Sequence, residues 1–363
     1  MIREKLRTLV KEYSERNKRN NCSAVYSVTN SHGFMSSTDY FSKEVFSKDL
    51  STYKIVRRGM IAYNPSRINV GSVAVQRAKE TVIVSPLYVV FSVDENKILP
   101  EFLTYFLHSD TGLQQIAAHT SGSVRDSLKF GALQDIEINL YSIEEQREII
   151  AKLQKVDDLL ECQRTVLKRL DDLVKSQFIE MFGGYSLRNK QSDWVKISSV
   201  AEIVGGSTPK TENAEYWGGK HNWITPAEIS DDSFIVYKTQ RTLTGAGVKS
   251  CSLRLLPIGT VLLSSRAPIG KVAITGVEMY CNQGFKNLIC GQSLNSIYIY
   301  YLLKFNSEYL NSLGRGATFK EISKSIVDNI AIPVPEIELQ NRFAAFVEQT
   351  DKSKNVYVLE VAA

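Results

Sequence analysis

Short apolar runs alternate with turn residues along the first 142 residues. "IVRRGMIAYN", "GSVAV" and "TVIVSPLYVVFSV" are rich in β-branched and aromatic residues, are bounded by Gly, Pro, Asn or charge, and predict strands. "PEFLTYFLHSDTGLQQIAAH" places apolar residues at helical spacing behind Pro100 and predicts one helix. "DIEINL" alternates and predicts a closing strand. The texture then changes, because residues 142–182 contain neither Gly nor Pro. Ser142 followed by Glu145 forms a capping box, which opens a helix. Apolar residues recur at Ile149, Val156, Leu159, Val166, Leu170 and Leu173, and Leu153, Leu160, Leu167 and Val174 widen the stripe. The pattern predicts a long amphipathic helix of near-heptad order, about 60 Å long at 1.5 Å per residue, ended by Gly183-Gly184.

A second, similar series follows. "GTVLLSSRAPIGKVAI" and "KNLIC" predict strands, "SIYIYYLLKFNSEYLNSL" a helix and "NIAIPVP" a closing strand. "EIELQNRFAAFVEQTDKSK" opens another amphipathic helix, with Phe343, Phe346, Val347 and Thr350 on one face. The tail "NVYVLEVAA" departs from heptad order, so this helix is expected to be short.

The two series are copies. "RINVGSVAV" (67–75) and "RAPIGKVAI" (266–274) both read Arg-x-x-x-Gly-x-Val-Ala-aliphatic. The stretch 121–148 aligns with 315–342, placing Gly122 on Gly316, Leu128 on Ile322, Ile136 on Ile330 and Gln146 on Gln340. "PEFLTYFLHS" is similar to "SIYIYYLLKF". Ordered matches at similar offsets indicate a tandem duplication, and two copies are too few for a solenoid. The expected organisation is a first globular domain (1–142), a long helix (143–183), a second globular domain (184–335) and a second, shorter helix (336–363).

Charge follows these boundaries. Residues 1–142 hold 18 Lys/Arg against 14 Asp/Glu and residues 183–335 hold 16 against 11, whereas both helical segments are mildly acidic. Basic domains favour polyanions such as nucleic acid. Acidic amphipathic helices favour one another's apolar faces or a protein partner. The five cysteines form no Cys-x-x-Cys pair and the four histidines are scattered, so no metal-ligand spacing is present. No apolar run reaches the length of a membrane span, and "MIREKLRTLVKEYSERNKRN" is too charged for a signal-peptide core, so a cytoplasmic location is expected.

Enzyme signatures are missing. "APIGKV" lacks the earlier glycine of a phosphate loop, and no Gly-x-Gly-x-x-Gly follows a strand. "YNPSR" is only loosely similar to the Asn-Pro-Pro-aromatic motif of amino-methyltransferases, with Ser66 and Arg67 in the last two places. "ENK" (95–97) has no aspartate at nuclease spacing before it. Asp157-Asp158 and Asp171-Asp172 fit the solvated face of the helix better than acid–base catalysis.

Taken in order, these motifs resemble the specificity subunit of Type I restriction–modification systems. "WVKISSVAEIVGGSTPK" is similar to the opening of a target-recognition domain of that family and "WITPAEIS" to its next landmark. "GTVLLSSRAPIGKVAI" and "NQGFKNLI" resemble its central strands, and "RGATFKEISKSIVDNIAIPVPEIELQNRFAAF" its end and the start of its helix. The first copy keeps "GMIAYNPSRINVGSVAV" and "SPLYVVF". The resemblance implies an α+β fold: two duplicated target-recognition domains joined by long helices that pair as an antiparallel coiled-coil spacer. It implies that each domain reads one half of a split double-stranded DNA target. It also implies docking of two methyltransferase subunits, which methylate adenine at N6 with S-adenosylmethionine, and of two motor-nuclease subunits using ATP and Mg. The chain itself would be non-catalytic and hold no cofactor or metal.

Phosphates are contacted by Lys, Arg, polar side chains and backbone amides, and base edges mainly by Arg, Asn, Gln and Lys. The DNA-binding candidates are therefore Asn64, Arg67, Arg125 and Lys129 in the first domain, and Lys210, Arg266, Lys271, Arg315 and Lys320 in the second. Arg67 and Arg266 hold equivalent places beside Gly71 and Gly270, where bracing a tight turn is the competing role. "SGSVR" and "RGATFK" have the character of polar loops leading into a helix, a natural phosphate site. The coiled-coil and partner candidates are Ile149, Val156, Leu159, Leu160, Val166, Leu170, Leu173, Phe343, Phe346 and Val347. A second reading stays open: a coiled-coil adaptor, or an inactive shortened allele, whose domains no longer read DNA.

Overall fold

The computed structural model describes residues 2–30, 32–40, 47, 49–120, 127–266, 268–316 and 320–362, with side chains except at 39–40 and 355–362. The chain forms two compact units, 1–161 and 162–363, divided within one long helix.

In the first unit, β1 (Ile2–Lys5) and β2 (Val10–Glu12) flank a single 3-10 turn. The strands β3 (Tyr26–Thr29) and β4 (Gly33–Ser36) form a hairpin, followed by the short helix α1 (Ser37–Tyr40). Next come β5 (Lys54–Arg57), β6 (Ile61–Tyr63), β7 (Val73–Val75), β8 (Thr81–Val84) and β9 (Val89–Val93). The helices α2 (Pro100–His108), α3 (Asp110–His119) and α4 (Phe130–Leu133) lead to β10 (Glu137–Leu140), and α5 (Ile143–Phe182) leaves the unit. The central sheet has the order β2-β9-β6-β7, and β10 returns antiparallel to β1.

The second unit repeats this plan. It contains β11 (Val195–Lys196), a 3-10 turn, β12 (Ala201–Gly205), β13 (Trp217–Ile224), β14 (Ile235–Val236), β15 (Arg241–Leu243), α6 (Gly245–Lys249), β16 (Val261–Leu263), β17 (Val272–Thr275), β18 (Tyr280–Cys281) and β19 (Lys286–Cys290). The helices α7 (Ser296–Phe305), α8 (Ser307–Ser312) and α9 (Lys324–Asp328), the strand β20 (Ala331–Ile332) and the helix α10 (Ile337–Ala362) complete it. Its main sheet runs β12-β19-β16-β17-β14, so its first four strands repeat the order of the first unit. β20 pairs antiparallel with β11 as β10 does with β1. The duplication in the sequence is therefore a duplication of topology.

The repeated helices differ from expectation in one respect: each is two helices. Ser109 (φ −70°, ψ 158°) ends α2 and caps α3, its Oγ accepting from the Gly112 N–H. Gly112 packs so close to the preceding turn that a Cβ there would lie 2.1 Å from the Phe106 carbonyl oxygen. In the second unit the break falls at buried Asn306, whose side chain accepts from the Leu187 N–H and donates to the carbonyls of Tyr185 and Leu302. Neither break shows in hydrophobic periodicity: the first is a local polar cap at Ser109, and the second is set by contacts with Tyr185 and Leu187 made on folding.

The long helix starts as the capping box predicts. The Ser142 Oγ accepts from the Glu145 N–H at 3.2 Å, and Glu145 accepts from the Ser142 N–H at 2.8 Å. Gly183 ends it at φ +75°, donating to the Ile179 carbonyl. One turn after each long helix begins sits a fully buried glutamine. Gln146 accepts from the Leu99 N–H at 2.9 Å and donates to the carbonyls of Lys97 and Tyr141. Gln340 accepts from the Asn295 N–H at 2.9 Å and donates to the carbonyls of Ser293 and Pro335. Each glutamine thus ties the start of its long helix to the loop before α2 or α7. Replacement by leucine is expected to leave backbone groups unpartnered in the core and to cost about 2–4 kcal/mol per site. Urea unfolding of Gln146→Leu and Gln340→Leu checks this, and a loss below about 0.5 kcal/mol would contradict the role of these bonds.

Candidate nucleic-acid interface

The repeated phrase forms the same turn in both units. β6 and β7, like β16 and β17, are antiparallel neighbours, and the link between them passes a glycine at φ +91°, Gly71 in one unit and Gly270 in the other. Glycine reaches that region without the Cβ clash of other residues. Each link is also tied to the segment leading into the short helix: the Leu128 N–H donates to the Pro65 carbonyl and the Ile322 N–H to the Ser265 carbonyl.

The two arginines of the phrase part company here. Arg266 pairs through Nε with the Glu321 carboxylate at 3.0 Å, and Lys286 Nζ meets the other oxygen at 3.3 Å. Glu321 is also paired through its backbone to Arg315, each N–H donating to the other's carbonyl at 3.0 Å. Partial burial pushes the Glu321 carboxyl up, hydrogen bonds from Lys286 and Arg266 pull it down, and the net position is below an ordinary glutamate. Arg266 is therefore a brace. The copy-equivalent position of Glu321 in the first unit is Ser127, which cannot serve as a counter-ion. Arg67 is exposed and makes no side-chain hydrogen bond or ion pair among the described residues. Its carbonyl accepts from the Val70 and Ser72 N–H groups, and its side chain lines a small polar cleft with Asn64, Asn30 and Ser72.

The other candidates divide similarly. Asn64 is half-buried and its Oδ1 accepts from the Ser66 N–H, which shapes the turn. Lys129 is exposed just before α4, and Arg315 and Lys320 are exposed on either side of residues 317–319. Arg125, with the whole of "SGSVR", lies outside the described residues. Lys271 turns inward: its Nζ donates to the Ile229 carbonyl at 2.7 Å, so its charge serves the fold. Lys210 is exposed, and its carbonyl accepts from the Trp217 indole at 3.3 Å.

On the long helices the described contacts are uneven. Ile149 is half-buried against the first core, and its neighbour Ile150 enters that core. Leu160, Val166 and Leu170 are half-buried, whereas Val156, Leu159 and Leu173 are exposed, as is Leu153. Within the second unit the buried face of α5 is Val174, Phe178 and Phe182, spaced by four residues, packed with Phe343 and Val347 and flanked by half-buried Phe346. Phe343 meets Phe178 and Phe182 at ring distances of 5.4 and 5.5 Å, while Lys354 pairs with Asp171. Positions rise along α10 as they fall along α5, so the two helices pack antiparallel here. The tail "NVYVLEVAA" is helical through Ala362, giving α10 26 residues against 40 in α5.

Two features escaped sequence reasoning. Residues 14–21 form an open, largely polar groove presenting exposed Arg16, Lys18 and Arg19. Buried Asn17 holds the loop, exchanging hydrogen bonds with the Cys22 backbone. In the second unit, the Arg241 guanidinium lies 3.5 Å over the Trp217 ring, which meets Trp223 edge-on at 5.0 Å. The runs "NKRNN" and "EYWGGKHNW" were the available signals, but neither shows from sequence alone that a loop or bulge gathers its side chains.

Two copies of one mixed sheet-and-helix skeleton, each carrying exposed cations and each running into a long amphipathic helix, define a tandem-duplicated α+β protein. Comparison with known proteins places it further. The profile of the family described as Type I restriction modification DNA specificity domain matches residues 7–171 and again 189–356. The chain belongs to that family. The MjaIX Type I restriction enzyme specificity subunit of Methanocaldococcus jannaschii is 39% identical over 201 residues, 53% of this chain and 46% of that protein. The match thus spans about half the length of that relative. The HindI specificity subunit of Haemophilus influenzae is 20% identical over 82% of each chain. A Type I restriction–modification S subunit from M. genitalium shares the fold with a TM-score of 0.58 at 15% identity, over 99% of this chain and 92% of that one. A chain from a structure describing assembly of the type I R-M system gives 0.55 at 22%, over 99% and 93%.

Glu321 provides a pH test of the brace. Its folded-state carboxyl lies below the unfolded value, so the ion pairs contribute stability above about pH 4.5 that is lost as pH falls through the depressed value. An NMR titration is expected to show Glu321 protonating below the ordinary glutamate range, and Arg266→Ala is expected to move it upward. An unshifted titration in both proteins would contradict the brace.

Proposed function

We propose that this chain is the DNA-reading subunit of a Type I restriction–modification complex, with each unit reading one half of a split duplex target. The observation that carries the reading is the strand order repeated in both units, each unit latched by a buried glutamine to its own long helix. A latch of that kind holds a reader in a fixed relation to its helix, which a split site with a constant gap requires. Arg67, Lys129, Arg315 and Lys320 are the exposed cations offered to phosphate, joined by the Arg16–Arg19 loop. The exposed Leu153, Val156 and Leu159 on α5 are offered to a methyltransferase subunit. In this reading two methyltransferase subunits bring S-adenosylmethionine and methylate adenine at N6, and two motor-nuclease subunits add ATP- and Mg-dependent cleavage. The chain itself is non-catalytic and works in the cytoplasm, where the DNA is. Among the described residues no group of His, Cys, Asp and Glu is arranged to hold a metal, and no helix is long and apolar enough to cross a membrane.

Duplex binding measured against salt tests the reading. Neutralising phosphates releases counterions, so log K is expected to fall linearly with log salt, by about 0.9 per phosphate contacted. Arg67→Ala and Lys129→Ala are each expected to flatten the slope by about one unit without unfolding the chain. Weak binding that ignores salt and sequence would favour the adaptor reading instead.

A further inference from the structure

A skeleton present in both units cannot by itself distinguish two different half-sites. Discrimination has to come from what the copies do not share. In the small sheet β15-β13-β18 of the second unit, β18 repeats β8, but β13 and β15 form with it an apolar cluster of Trp223, Leu243 and Tyr280, and the first unit contains no tryptophan at all.

That sheet is built around a bulge. Trp217 and His221 both stand opposite Leu243, with Gly218–Lys220 looped out between them. Gly218 takes φ +79°, and a Cβ on Gly219 would lie 2.4 Å from the Leu243 carbonyl oxygen, so the bulge depends on both glycines. It brings the Trp217 ring against Trp223, with the planes 79° apart. Both indole N–H groups are already satisfied, that of Trp217 by the Lys210 carbonyl and that of Trp223 by the Ser207 carbonyl. Buried Trp223 backs the half-buried Trp217 ring, which is left as an apolar platform.

Arg241 stands opposite Trp223 in the ladder, with its guanidinium 3.5 Å over Trp217 and 5.6 Å from the Trp223 ring. Several exposed arginines meet carboxylates: Arg57 meets Glu15, Arg77 meets Glu101, Arg254 meets Glu202 and Arg266 meets Glu321, whereas Arg67 and Arg241 meet none among the described residues. Arg241 is exposed, and its guanidinium makes no hydrogen bond or ion pair among the described residues. Stacking engages the flat face of a guanidinium and leaves its in-plane N–H fork available, already restrained. A restrained planar fork matches the O6 and N7 acceptors that guanine shows in the major groove.

We propose that Arg241, held on Trp217, is a specificity-determining residue of the second unit and reads a guanine edge in one half-site. The proposal rests on the DNA-reading function above. The test is selection of duplexes from a random library by the full chain, by Arg241→Lys, which keeps the charge but not the fork, and by Trp217→Leu, which keeps Arg241 but removes the platform. Thermal unfolding confirms that each variant is folded. Both variants are expected to lose guanine enrichment about tenfold at one or two adjacent positions of one half-site, with the other half-site and the gap unchanged. An unchanged motif from folded Arg241→Lys would overturn the proposal and leave the DNA-reading function standing. So would a uniform loss of affinity across all sequences, which marks a phosphate contact. If the unsubstituted chain selects no motif, the DNA-reading function fails and this inference fails with it.

Discussion

The hydrogen bonds of two buried glutamines set the geometry on which everything else depends. Gln146 and Gln340 each join the first turn of a long helix to the loop before the helix that packs on the sheet. A buried amide with three backbone partners is directional in a way that apolar packing is not. Apolar contact alone, such as that of Ile150 or Phe343 with its core, would tolerate small rotations of the helix. The amide fixes one angle. The same solution appears in both copies although the surrounding residues have diverged, Leu99 and Lys97 in one and Asn295 and Ser293 in the other.

Around these latches, parts that hold shape separate from parts free to meet a ligand. The glycine turns at Gly71 and Gly270 and the strand order β2-β9-β6-β7 with its repeat belong to the first group. Position 67 and its counterpart 266 show how one inherited residue can change groups. A glutamate opposite Arg266 makes it a strut, and with a serine at the corresponding place Arg67 has no ion pair among the described residues. The Asn17-anchored basic loop in the first unit and the Trp217–Arg241 pair in the second belong to the other group.

Much of this was legible in the sequence because it is local or periodic. The capping box at Ser142 and the glycine stop at Gly183 each need only a few neighbouring residues, and the duplication needs only the comparison of one stretch of sequence with another. Most of what was not legible depends on distant partners. The break at Asn306 divides an apparently continuous helix and is held by the backbone of Tyr185 and Leu187, more than a hundred residues away, whereas the break at Ser109 is a local serine cap that apolar periodicity overlooks. The inward turn of Lys271 depends on where the Ile229 carbonyl lies. The heptad stripe on α5 was real as a pattern, yet the face buried in the second unit begins at Val174, and Leu173 beside it stays exposed. Arg241 and Trp217 are twenty-four positions apart and meet through a bulge, which no residue spacing encodes.

The central claim is that two latched readers direct adenine methylation to a split site. A genome-wide map of N6-methyladenine tests it most directly, in cells carrying the cognate methyltransferase with and without this chain. Chain-dependent methylation at two short half-sites around one fixed gap is the expected result. A map that does not change when the chain is supplied, with the chain shown to be bound to the methyltransferase, would contradict it.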